Sequence, residues 1–142
     1  MKSACYRELR GYKYELVEHY EHLTAIQGHD AETEYLKLDV SGKLIIQRRY
    51  AWDGPSGPTI DTMNFMRGSL VHDALYQLIR LQKIPHTCKE QADQLLHDIC
   101  IEDGMSKFRA WYVHLAVKRL SGSAAKPGTD KPEEITCAPK NA

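Results

Sequence analysis

The chain has 142 residues, enough for one domain with a sizeable core. Its 19 Lys and Arg balance 19 Asp and Glu, so overall charge gives no drive toward nucleic acid or an anionic membrane. No apolar run approaches the roughly 18 residues of a membrane helix, and Met1 to Leu9 lacks the apolar stretch of a signal peptide. The expected location is the cytoplasm of the producing cell. Cys5, Cys88, Cys100 and Cys137 share no C-x-x-C spacing. That predicts four reduced thiols, Cys100 buried and Cys137 exposed, rather than a zinc knuckle or a redox pair.

Tyr12 to Leu16 alternates apolar and polar residues, which predicts a strand. Glu18 to Ala31 has no clear period and reads as a loop or a ragged strand. Tyr35 to Val40 alternates again, with Leu36, Leu38 and Val40 facing one way. Ser41-Gly42 is a two-residue turn in which Gly supplies a positive φ. Lys43 to Tyr50 returns with Leu44 and Ile46 on one face. Glu34–Tyr50 is therefore a predicted β-hairpin. Ala51 to Asn64 cannot be a regular element, because Pro55 and Pro58 lack backbone donors and Gly54 and Gly57 permit unusual conformations. Trp52 is expected to anchor this loop to the core.

From Phe65 the period becomes helical. Leu70, Val71, Ala74, Leu75, Leu78 and Ile79 form a broad apolar stripe. The first helix should reach about Gln82 and end before Pro85. Thr87-Cys88-Lys89-Glu90 fits a capping box that opens a second helix to about Asp103. This helix should bury Ala92, Leu95, Leu96 and Ile99, with Gly104 as its stop. Ser106 is the expected cap of a third helix to Leu120, with Phe108, Trp111, Tyr112 and Leu115 inward. Ser121–Ala142, with three prolines and little to bury, reads as a disordered tail. The predicted class is α+β: one domain over 1–120, β-rich to 52, a Gly/Pro loop at 53–64, helices over 65–120, and the tail.

The candidate site centres on Val71-His72-Asp73-Ala74-Leu75-Tyr76. His72 and Tyr76, four apart, share one helix face. A short link through Pro85 returns the next helix antiparallel, so contact of its Asp93 with His72 is possible. A carboxylate on one imidazole nitrogen fixes the tautomer and leaves the other as a base. Tyr76 would hold Asp93. Asp73, with loop carbonyls, would offer oxygen ligands to a hard cation such as calcium. Each residue also has a plain structural use: His72 as a satisfied core histidine, Asp93 paired with His97, and the loop as a turn in which Asp53 bonds its own backbone. Arg67 would bind a substrate phosphate or carboxylate, or pin the loop through Asp53 or Asp61.

The order of a Gly/Pro loop, His-Asp-x-x-Tyr, then Ala-Asp resembles a phospholipase A2 site, in particular the compact phospholipase domain of parvovirus capsid proteins. The resemblance covers about Asp53 to Leu96. It implies His72 as general base, Asp93 as its orienting partner, and Tyr76 as the phenol bonded to Asp93. It further implies Asp73 as a calcium ligand and Gly54 and Gly57 in the calcium loop, with a lipid or other acyl substrate. Arg67 and Trp52 are the candidate substrate-binding residues. The sequence departs from the pattern at Met66, where those enzymes carry an acidic residue, and in its shorter loop spacing.

A second resemblance covers more of the chain. Tyr-x-Trp-Asp-Gly-Pro-Ser-Gly, then Arg-x-Ser-Leu-Val-His-Asp-Ala-Leu-Tyr, then Ala-Asp, over about Leu44 to Ala116, is similar to a family of small phage and prophage proteins of unknown function. It implies a phage origin, with a virion-associated location as the alternative to the cytoplasm, and supplies no activity. Three functions stand beside each other at this point: a calcium-dependent acyl hydrolase, a hydrolase of another class such as an amidase, and a non-catalytic phage protein whose His/Asp/Tyr set is a buried polar network.

Overall fold

A computed structural model describes residues 4–9, 12–52 and 63–120. The tail and most of the Gly/Pro loop, including Asp53, Gly54, Gly57 and Asp61, lie outside the described residues, as does Cys137. The class is α+β. In chain order the elements are β1 (Tyr6–Leu9), β2 (Tyr12–Leu16), β3 (Tyr20–Leu23), β4 (Ala31–Glu32), β5 (Leu36–Leu38), β6 (Lys43–Ile46), β7 (Ala51–Trp52), α1 (Met63–Arg80), α2 (Lys89–Glu102) and α3 (Lys107–Leu120). The strands belong to one compact unit and the helices to a second.

The strands form two antiparallel sheets, of order β1-β2-β7 and β3-β6-β5-β4. The predicted hairpin is β5–β6, with Leu36 opposite Ile46 and Leu38 opposite Leu44, all four buried. Gly42 has φ +94°, the left-handed turn conformation that glycine adopts without a Cβ clash. Asp39 braces the turn: its Oδ1 accepts from the Ser41 and Lys43 backbone N–H groups at 2.9 and 3.1 Å. Val40 leaves the expected face and is exposed, because the strand has already ended at Leu38.

Elsewhere in the strands one open reading is decided, one expectation changes and one strand is new. The Glu18–Ala31 segment contains a true strand, β3, which pairs with β6. The strand from Lys43 stops at Ile46 and the chain turns at Gln47–Arg49, where Arg49 takes φ +82°. Tyr50 O then accepts from Leu16 N, so the turn hands the chain from one sheet to the other. Residues Tyr6–Leu9 form a strand with no expectation attached. Trp52 ends in a cluster of rings, 5.8 Å from Tyr6 and 5.6 Å from Tyr14 between centroids, and is buried. The loop it was expected to anchor lies outside the described residues.

In the helical unit, α1 starts two residues before Phe65 and ends at Arg80. The capping box at Thr87 does not form. Residues His86–Cys88 make one 3-10 turn, and Cys88 stands at the N-cap of α2 with no side-chain cap bond. The end of α2 behaves as expected: Gly104 has φ +100°, and Met105 N bonds Cys100 O at 2.9 Å in a Schellman-type closure. Ser106 caps α3 through Arg109 N at 3.2 Å.

The face of α3 is the largest correction. Phe108, Trp111 and Tyr112 point outward, and Ala110 and Val113 point inward against Phe65, Leu96, Cys100 and Met105. Both stripes have helical spacing. The smaller residues face inward, and there they pack on the α1–α2 pair. Leu95, expected inside α2, is half-buried.

Candidate functional site

The site is made on the contact between α1 and α2. A Cβ at Gly68 would lie 2.9 Å from Leu96 Cδ1 and 3.1 Å from Cys100 Sγ, so glycine lets the two helices approach there. One turn later His72 meets Asp93, and Tyr76 meets it a further turn on. Partners rise in number along α1 and fall along α2, so the pair is antiparallel. His72 lies in the middle of α1 and Asp93 in the second turn of α2, and this register brings them together.

His72 Nε2 is 2.7 Å from Asp93 Oδ1. Tyr76 O–H donates to the same oxygen at 2.5 Å. The His72 and Tyr76 rings stack obliquely, 4.0 Å between centroids, as the i, i+4 spacing allows. Lys89 Nζ donates to the other oxygen, Oδ2, at 2.8 Å. Asp93 is only 1 % exposed, and His72 and Tyr76 are also buried.

Burial acts to raise the Asp93 carboxyl. Hydrogen bonds from His72, Lys89 and Tyr76 outweigh it and hold the group at about 2. Burial, and then the bond to Asp93, push the Tyr76 phenol far above its ordinary value, so it stays a donor. An ionised Asp93 can only accept, so His72 must carry its proton on Nε2. In the neutral ring that leaves the lone pair on Nδ1, which makes no hydrogen bond among the described residues.

Lys89 is the residue that reading the sequence missed. It lies between Thr87 and Glu90 of the capping-box pattern, and its spacing four before Asp93 is the signal of a helix ion pair. Asp93 also lines a surface cleft of about 320 Å³ with Glu90, Gln91, Gln94, His114 and Lys118. His114, held below the usual imidazole value by burial and then by neighbouring His97, stacks edge-on to that ring at 5.7 Å. His97 pairs with Asp98 at 3.1 Å, and Asp93 is given to His72 instead.

The other candidates fall elsewhere. Arg67 is buried, and its guanidinium binds Asp103 at 2.7 to 3.2 Å and also Glu102. It fastens α1 to the end of α2, while Asp53 and Asp61, its expected partners, lie outside the described residues. Trp52 packs in the strand unit. Asp73 is half-buried beside His72. Among the described residues no three His, Cys, Asp or Glu side chains gather to hold a metal. Calcium takes about 6–8 oxygens, and Asp73 alone supplies too few. The rest of the expected set, Asp53, Gly54 and Gly57, lies outside the described residues. Within the described residues no helix is long and apolar enough to cross a membrane.

Fold and site define an α+β protein with a buried His–Asp–Tyr cluster in a helical hairpin. The chain belongs to the DUF1353 family, whose members are described as proteins of unknown function and whose profile matches residues 44–117. No curated protein and no solved structure matches it. The matched span takes in most of β6, then β7, the loop, all of α1 and α2, and most of α3, and so contains every residue of the cluster.

Proposed function

We propose that His72 is the general base of a hydrolase acting on an acyl substrate, a lipid ester first among them. The observation that carries this reading is the 2.7 Å bond from His72 Nε2 to Asp93. It directs the basic lone pair to Nδ1. In the proposed reaction Nδ1 takes a proton from water as the water oxygen attacks the acyl carbon. Asp93 stabilises the imidazolium so formed. The same proton then passes from Nδ1 to the departing alkoxide as the ester C–O bond breaks. Tyr76 keeps Asp93 aligned. The likeness of this set to the phospholipase A2 arrangement supports the choice of an ester.

Calcium, if bound, would be held by Asp73 with carbonyls of Asp53, Gly54 and Gly57 and would polarise the substrate carbonyl. The purified chain is assayed on phospholipid, short-chain ester and amide substrates, with calcium and with chelator. Hydrolysis should fall by about 10²–10⁴-fold in both His72→Gln and Asp93→Asn. Turnover that persists in both variants would sink the proposal. The amide arm separates an esterase from an amidase.

One observation favours a second reading. Lys89 neutralises the oxygen of Asp93 that His72 does not use, so the cluster is balanced without a reaction. On that reading it is a polar network that fixes the helix pair in a non-catalytic phage structural or host-interaction protein. His72→Gln would then lower the melting temperature by several degrees, with no turnover in the wild type on any substrate.

A further inference from the structure

We propose that the outward face of α3 docks on an anionic lipid surface. α3 is apolar on two sides. Ala110 and Val113 face the helical core, with Val117 partly covered. At 100° per residue the opposite side carries Phe108, Trp111 and Tyr112, which are 75 %, 55 % and 44 % exposed. The Phe108 and Trp111 rings lie 6.1 Å apart, so they form one patch rather than scattered residues. A contiguous exposed aromatic patch marks an interaction surface.

Charge identifies the partner. The helix sequence holds Lys107, Arg109, Lys118 and Arg119 and no Asp or Glu. Arg109 is turned back over the Phe65 ring. Lys107 and Lys118 are exposed near the two ends of the helix, on either side of the aromatic patch. Aromatic rings on the outer face of a helix with lysines at its ends match the boundary between headgroups and acyl chains, and the lysines match anionic headgroups. A second copy of this face fits less well. A two-fold contact would set Lys107 and Lys118 of one copy against those of the other.

This surface is read by binding alone and so stands whether or not the chain hydrolyses anything. The full chain is mixed with phosphatidylcholine vesicles with and without phosphatidylserine, and followed by co-sedimentation and tryptophan emission. Partition onto the anionic vesicles should be roughly tenfold stronger or more. Emission should shift to the blue as Trp111 leaves water, over a constant background from buried Trp52. The triple variant Phe108→Ala, Trp111→Ala, Tyr112→Ala should keep its helical circular dichroism and lose vesicle binding. Lys107→Glu with Lys118→Glu should lose the anionic preference. The proposal is overturned by absence of binding to either vesicle, or by equal binding of the triple variant. It is also overturned if, without vesicle binding, the wild type forms dimers that the triple variant lacks or binds a single-stranded oligonucleotide.

Discussion

Both oxygens of Asp93 are occupied, by His72 and Tyr76 on one side and by Lys89 on the other. The phenol is the simplest member to remove, because Phe keeps the ring that packs on His72. Tyr76→Phe deletes one charge-assisted hydrogen bond from a buried carboxylate that retains two other donors. It should cost about 1.5–3 kcal/mol, read as a lower urea midpoint with an unchanged slope. A cost near zero would mean that the short contact adds nothing to the fold. His72 and Tyr76 were legible in the sequence as polar groups in an otherwise apolar helical stripe, which need buried partners; their contact with Asp93 was legible only as a possibility, because it depends on how α2 is offset along α1. Lys89 was not, because a lysine near a helix start reads first as a solvated residue. Only the packing of α2 on α1 makes it a counter-ion.

At the scale of elements, period decides type more reliably than it decides face. The α1 stripe and the β5–β6 alternation were readable, because each has one apolar side. α3 has two, and hydrophobicity alone favours the aromatic one. Phe65, Leu96 and Cys100 instead pack with the smaller Ala110 and Val113. The start of α2 misled for a different reason: a capping-box pattern sits where a 3-10 turn supplies the first bonds. At the β5–β6 turn the positive φ of Gly42 is as expected, but the connection spans the four residues Asp39–Gly42, closed by Gly42 N on Asp39 O, rather than Ser41-Gly42 alone. Gly42 O accepts from Thr24 N at 2.8 Å and Thr24 Oγ1 at 2.7 Å, which ties the turn to the neighbouring segment. A Cβ at Gly42 would lie 2.5 Å from the Thr24 carbonyl oxygen, at a φ of +94°. Neither backbone can yield easily. Gly42→Ala should therefore destabilise the chain by on the order of 2–3 kcal/mol, seen in thermal or urea unfolding. A loss under 0.5 kcal/mol would show that the turn relaxes freely.

For the molecule as a whole, stability against pH follows from which buried groups are held charged and which neutral. Asp93 is held at about 2, below its ordinary 3.8. A depressed carboxyl contributes stability that is complete above its unfolded value and disappears as pH falls. The loss from this group runs from about pH 4 to pH 2 and amounts to about 2 kcal/mol. Glu21, bonded by Lys43, and Asp39, bonded by Ser41, are also lowered and act in the same sense, but both are exposed to water and add little. His114, also lowered, adds a shallow decline below about pH 6.5. On the alkaline side burial, then the nearby Asp103, push the Cys100 thiol from 9.0 up to about 12. A raised thiol contributes stability below its unfolded value and loses it as pH rises, about 3 kcal/mol by pH 11. The expected profile is a broad maximum between about pH 6.5 and 9 with a limb on each side. Urea midpoints from pH 2 to 11 would trace it. Asp93→Asn, less stable throughout, should flatten the acid limb, and Cys100→Ala, despite its cavity, should weaken the alkaline one, leaving the part above about pH 10 that comes from the raised Tyr76 phenol. An acid limb equally steep in Asp93→Asn would assign the titration to other carboxylates and remove the bonds to His72, Tyr76 and Lys89 as the cause of acid lability.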